Sequence, residues 1–211
     1  MAILHKAEIH PSKLDLISAW LRKQPWAYDA TEPWERTAAY RFDDPAGEVG
    51  VETMLVRAGD GAELQVPLTY RGAPLEGADA WLLGTAEHSV LGTRWFYDAA
   101  GDPVYAQVLA QAILGGGREA EVFYETDAGR ESVPGSAEVR GSGSAPIDGI
   151  QADPVEAATS GAVTTIATPS FELLLVREIG VALPARVRQT LTGTWDTQSE
   201  PVLLAAIADR A

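Results

Sequence analysis

The 211-residue chain contains no cysteine, which excludes disulfide bridges, thiolate metal sites and cysteine nucleophiles. Its three lysines, Lys6, Lys13 and Lys23, all precede residue 24. Kinase-type phosphoryl transfer needs a cationic side chain on the nucleotide phosphates, with Asp and Asn groups for metal and base. No lysine remains for that task in any later strand, and no His-Gly-Asp or His-Arg-Asp catalytic loop is present. Asp148-Gly149-Ile150 falls in a loop-like stretch, away from the context a metal-binding Asp requires. Histidine is scarce, and His5, His10 and His88 form no His-x-x-x-His pair. The acidic residues follow no calcium-loop spacing, so neither metal nor cofactor is expected. Basic charge is short as well, with 16 Lys and Arg against 30 Asp and Glu and a formal charge of −14. Such a surface repels phosphate backbones and anionic lipid, so nucleic acid and membrane are not expected partners. No apolar run approaches the roughly 20 residues of a membrane helix. Met1–His10 lacks a basic leader and a cleavage pattern, and the expected location is cytoplasmic.

What is present is an ordinary globular composition, 46% apolar with six Trp and six Tyr, enough to bury a substantial core. Residues 2–9 alternate loosely as a first strand. Ser12 and Asp15 have capping-box spacing and start a helix that puts Leu14, Ile17 and Leu21 on one face, with Leu16 and Trp20 beside them. Pro25 ends that helix near Lys23 or Gln24. Arg36–Phe42, Glu48–Arg57 and Ala62–Arg71 read as strands of an antiparallel meander, joined by Asp43–Gly47 and Gly59–Gly61. Leu82–Asp98 reads as one long bent strand or a pair, with Gly84 and Gly92 as bend points. Asp102 as N-cap and Pro103 at the first position open a second helix, which Gly115–Gly117 closes. Residues 129–155, rich in Gly, Ser, Pro and Glu, predict a mobile loop around at most one weak strand. Strands are then expected over 162–168, 171–179 and 185–195, with a turn at 196–200 and a closing strand over 202–208, a short helix being the alternative there. The predicted fold class is α+β, with a curved antiparallel sheet and two main helices over 1–118 and a second, β-rich subdomain over 119–211.

Two short motifs resemble catalytic ones without their geometry. Gly115-Gly116-Gly117-Arg118 lacks the Lys and Ser/Thr of a phosphate loop, and its glycines end a helix where carbonyls would repel phosphate. Glu87-His88-Ser89 has the residue types of a hydrolase triad, but neighbours on a strand face opposite ways, so His88 points away from both others. Arg94 and Asp98 share a strand face and read as a surface ion pair or a ligand clamp.

Several blocks together resemble a known family. They are Met1–Ile9, Val66–Leu75 (VPLTYRGAPL), Gly84–Gly92 (GTAEHSVLG), Arg94–Asp98 (RWFYD) and Asp102–Tyr105. Over residues 1–118 they resemble the N-terminal cap of actinobacterial maltokinases and related glucosamine kinases. The resemblance implies a curved antiparallel sheet wrapped on helices, similar to cystatin or monellin, which in those proteins precedes an aminoglycoside-phosphotransferase-like kinase body. The large lobe that binds sugar and carries catalysis there has no counterpart here, and the second half reads as a reduced relative of the kinase small lobe. In Phe171–Arg177 the phosphate-binding Lys of such a strand would fall near Leu174 or Leu175, so no kinase residue carries over.

A non-enzymatic, cap-like protein is therefore expected, binding and regulating a protein partner such as a kinase or sugar-metabolism enzyme. The alternative is a carbohydrate-binding module, with Tyr70, Arg71, His88, Arg94, Trp95 and Tyr97 as the candidate ligand or partner residues, since aromatics stack on sugar rings and Arg fixes polar groups. An enzyme of unrecognised type is the third reading.

Overall fold

The computed structural model describes residues 2–4, 8–126, 129–133, 135–144, 149–184 and 186–209. Helix α1 (Lys13–Leu21) begins as its spacing predicts. The Ser12 hydroxyl accepts from the Asp15 N–H at 3.2 Å, and the Asp15 carboxylate accepts from the Ser12 N–H at 3.0 Å. It ends two residues early, because the N–H groups of Lys23 and Gln24 turn back to the Trp20 and Leu21 carbonyls ahead of Pro25. Helix α2 (Pro103–Gly115) is capped by Asp102, whose carboxylate accepts from the Val104 N–H, and closes with Gly116 in the left-handed conformation.

The first sheet comprises β2 (Ile9–His10), β3 (Trp34–Phe42), β4 (Gly50–Ala58), β5 (Leu64–Arg71), β6 (Leu82–His88) and β7 (Gly92–Asp98) in the order β2-β6-β7-β5-β4-β3, antiparallel throughout. The stretch expected as one strand over 2–9 is divided. β1 (Ala2–Leu4) leaves this sheet to run parallel to β8 (Val122–Thr126), which pairs with β9 (Gly129–Val133). His5 lies outside the described residues. The second six-stranded sheet has the order β10 (Ala137–Gly141), β14 (Val187–Trp195), β15 (Gln198–Ala208), β13 (Glu172–Val176), β12 (Val163–Ala167) and β11 (Glu156–Ser160). The chain is thus α+β with a β-rich second part. Two strands, β9 and β10, occupy the stretch predicted as a loop with at most one. Its small residues serve close approach, since a Cβ on Gly141 would sit 1.9 Å from the Ala112 carbonyl oxygen at the end of α2. Asp148 lies outside the described residues.

Helix α2 lies between the two sheets. Tyr105, Leu109 and Ile113 pack with Tyr40, Phe42 and Leu55 of the first sheet and with Leu173, Leu191 and Ile207 of the second, in one continuous cluster. The first sheet's other face packs on α1, where Ile17, Trp20 and Leu21 meet Met54, Val56, Leu64, Val66 and Leu68. The two sheets are also joined by backbone. β5 pairs with β7 over Leu68–Arg71, but at its other end the Gln65 N–H donates to the Arg177 carbonyl and the Ile179 N–H to the Glu63 carbonyl. Buried Gln65 adds a staple, its amide donating to the Val176 and Leu204 carbonyls at 2.7 and 2.9 Å while its oxygen accepts from the Tyr40 hydroxyl.

Arg177 lies beside this junction with no exposed surface. Its guanidinium donates to the buried Asp98 carboxylate at 2.6 Å and to the Thr164 hydroxyl at 2.7 Å. It also sits 5.1 Å from the Trp26 ring centre and 5.9 Å from that of Trp20. Asp98 therefore does not pair with Arg94 as the sequence suggested. Asp98 is buried and committed to Arg177, and the Arg94 guanidinium donates to the Thr93 carbonyl at 3.2 Å. Removing one partner of a buried pair strands the other charge, so Asp98→Ala is expected to cost about 3–5 kcal/mol in urea denaturation. The double variant Asp98→Ala/Arg177→Met should recover part of that loss, because no unpaired charge remains.

Candidate functional site

The most featured surface of the first sheet is built by two local departures from a regular ladder. At Thr37 a bulge between Arg36 and Ala38 changes which residues of β3 face α1. Ala38, Tyr40 and Phe42 pack on the α2 side, yet Trp34 and Arg36 pair with Ala58 and Val56 and so join the α1 face. Ala39 with Met54 and Arg41 with Glu52 complete that face. The second departure is Gly50 opposite Tyr70. A Cβ on Gly50 would stand 1.9 Å from the Tyr70 ring, so the glycine makes room for the ring to lie across the strand.

These devices collect a charged cluster. Glu52, 7% exposed, accepts from both Lys13 and Arg41, and Arg41 also donates to the Tyr70 hydroxyl. The Lys13 ammonium stands 4.9 Å from the Tyr70 ring centre. Burial pushes the Glu52 carboxyl upward, but Lys13 and Arg41, with Arg36 beyond them, outweigh it and hold the group below its ordinary value. Burial pulls Lys13 down, Glu52 opposes, and the neighbouring arginines keep the ammonium below its ordinary value.

A cleft of about 410 Å³ opens beside this cluster, lined by Arg41, Tyr70, Gly72, Leu91, Arg94 and the 42–51 segment. The turn between β6 and β7 forms one wall. His88 holds it, its Nδ1 accepting from the Val90 and Leu91 N–H groups at 3.2 and 3.1 Å. Ser89 is tied to Glu8 by two hydrogen bonds. The turn thereby presents Val90 and Leu91, 59% and 44% exposed, the exposed large hydrophobics among the described residues.

Period-two alternation divides the six residues singled out from sequence. Tyr70 and Arg94 share the cleft, and His88 braces its wall. Arg71, Trp95 and Tyr97 belong to the opposite face by register, where Arg71 pairs with Trp95 and Thr69 with Tyr97. Arg71 grips the fully buried Asp102 with two bonds of 2.8 and 2.7 Å, bracing the cap of α2. Tyr97 is buried, its hydroxyl accepting from the Leu75 N–H. Trp95 is half-buried on that face. Lys13, Arg41 and Glu52 escaped the sequence reading, although a lone Glu inside the apolar run of β4 was a visible signal.

Among the described residues no group of His, Asp or Glu could hold a metal ion, and no helix is long and apolar enough to cross a membrane. Two α-helices, a curled antiparallel sheet and a second β-rich sheet make up most of the described residues. Residues 20–102 match the family model of the maltokinase N-terminal cap domain, and the chain is similar to that domain over that span. The match starts near the end of α1 and stops at the cap of α2, so it includes the cleft and the Val90–Leu91 turn. It is to the cap domain and not to a kinase catalytic domain. No curated protein matches the chain.

The Glu52 carboxyl yields a pH prediction. Its value is lowered in the folded chain, so its stabilising contribution is full above the ordinary 4.5 and is lost as pH falls through the lowered value. Glu52→Gln is therefore expected to lower stability at neutral pH by about 1–3 kcal/mol and to flatten the acid limb of a stability-against-pH curve. An unchanged acid limb would remove Glu52 from the charge network.

Proposed function

We propose that this protein is a non-catalytic, maltokinase cap-like module that binds and regulates a separate protein, a kinase or sugar-metabolism enzyme, in the cytoplasm. The observation that carries this reading is the braced β6–β7 turn. Exposed Val90 and Leu91 on a turn fixed by His88 and Ser89 need no ordering on contact, so little entropy opposes docking there. Tyr70, Arg94 and Arg41 lie beside the turn, and aromatic and Arg side chains are enriched at interface hot spots.

The test compares wild type with Val90→Asp/Leu91→Asp in quantitative pull-downs from native lysate, with the captured partner then purified and titrated. The wild type should hold one partner stoichiometrically with a defined Kd. The double variant, unchanged in melting temperature, should bind it at least about tenfold more weakly, and absence of any stoichiometric partner overturns the reading. The isolated polypeptide should release no ADP from ATP in the presence of maltose or glucosamine.

A carbohydrate-binding role is the second reading, because Tyr70 and Arg94 meet in one cleft of about 410 Å³. Maltose, trehalose or glucosamine should then raise the melting temperature, and flat scans with all three would discard it.

A further inference from the structure

On the far side of the Lys13–Glu52–Arg41 cluster a second groove of about 380 Å³ is lined by Ile9, Ser12, Lys13, Leu14, Arg36, Glu52 and Met54. Charge is distributed unevenly there. The whole chain is strongly acidic, at −14, yet the groove's charged lining is Lys13 and Arg36 against the single carboxylate of Glu52, on which Arg41 also acts from the first cleft. Glu52 is committed to Lys13 and Arg41 by direct bonds. Arg36 is exposed, its side chain makes no direct hydrogen bond or ion pair among the described residues, and it acts on Glu52 only through space. Its place on this face is owed to the Thr37 bulge, without which it would follow Ala38 and Tyr40 onto the α2 side. A bulge that turns an arginine out of the core and into the groove that Lys13 lines builds like-charge repulsion there. An anion would relieve that repulsion. Ile9, Leu14 and Met54 give the same groove an apolar floor.

We propose that the Lys13–Arg36 groove is a binding site for an amphiphilic oxyanion, a phosphate or carboxylate group carried on a small apolar body. Arg36 supplies the planar donor pair that phosphate and carboxylate accept, and Lys13, held in place by Glu52 and the Tyr70 ring, supplies a second positive charge. The apolar body lies on Ile9, Leu14 and Met54. This site is separate from the Val90–Leu91 turn, whose Leu91 lines the other cleft, and it stands whether or not a protein docks there.

The probes are phenyl phosphate, phenylacetate and inorganic phosphate, titrated calorimetrically at constant ionic strength. Saturable binding of phenyl phosphate or phenylacetate is expected, and whichever is tighter tells phosphate from carboxylate. Arg36→Gln, which removes an exposed side chain and so leaves the fold intact, should weaken the tighter probe by about tenfold. Arg140→Gln, on β10 away from the groove, should leave it unchanged. Binding should also lift the Lys13 titration toward its ordinary value, read by NMR of lysine-labelled protein. No saturable binding of either aromatic probe, or equal binding by wild type and Arg36→Gln, would overturn the site. Inorganic phosphate binding as tightly as phenyl phosphate would overturn the part played by the apolar floor.

Discussion

The pairing of Arg177 with Asp98 is the constraint on which the rest of the molecule turns. A guanidinium with no access to water needs a compensating charge, and the carboxylate that supplies it comes from the end of β7, 79 positions away in the chain. The strand leading to Arg177 is thereby held where its carbonyl can receive the Gln65 N–H, and the second sheet continues the hydrogen-bonding edge of β5. The same guanidinium lies against Trp26 and Trp20, so α1 and its following turn are drawn into the arrangement. With α2 packed between the sheets, the cap-like part and the β-rich part share one apolar cluster.

The clefts depend on irregularity within that frame. A regular β3 would place Arg36 in the core with Ala38, and a residue larger than glycine at position 50 would lift Tyr70 away from Arg41. Bulge and glycine act on opposite ends of the same two strands, and together they place Arg36, Arg41, Glu52 and Tyr70 on one face with Lys13. The β6–β7 turn closes one side with an apolar tip fixed by polar bonds beneath it. Polar anchoring beneath the tip keeps Val90 and Leu91 exposed, because the turn cannot fold its own hydrophobic side chains away.

Local signals were legible in the sequence. The Ser12–Asp15 box, the Asp102-Pro103 start and the αL glycine after α2 involve atoms within a few residues of one another, and all three hold. The alternation of β5 and the breaks at Gly84 and Gly92 were legible for the same reason, with Gly84 at an irregularity and Gly92 at a turn. Composition misled where glycine serves contact and not freedom. Residues 137–141 alternate Ala, Val and Gly inward with Glu and Arg outward, a strand pattern inside a stretch that otherwise reads as loop. Among the candidate site residues, period-two alternation separates Tyr70 and Arg94 from Arg71, Trp95 and Tyr97, a division already written in the order of the residues.

By itself the sequence determined the helices and their caps, most strands, the α+β class and the likeness to a maltokinase cap, because each rests on neighbours in the chain or on short motifs. Tertiary structure alone decided that Asp98 belongs to Arg177, that Arg71 belongs to Asp102 and that Lys13 and Arg41 converge on Glu52. Those choices lie between residues 79, 31, 39 and 11 positions apart. No local preference distinguishes among so many possible partners; only the register of the strands and the shape of the packed core bring one pair within bonding distance.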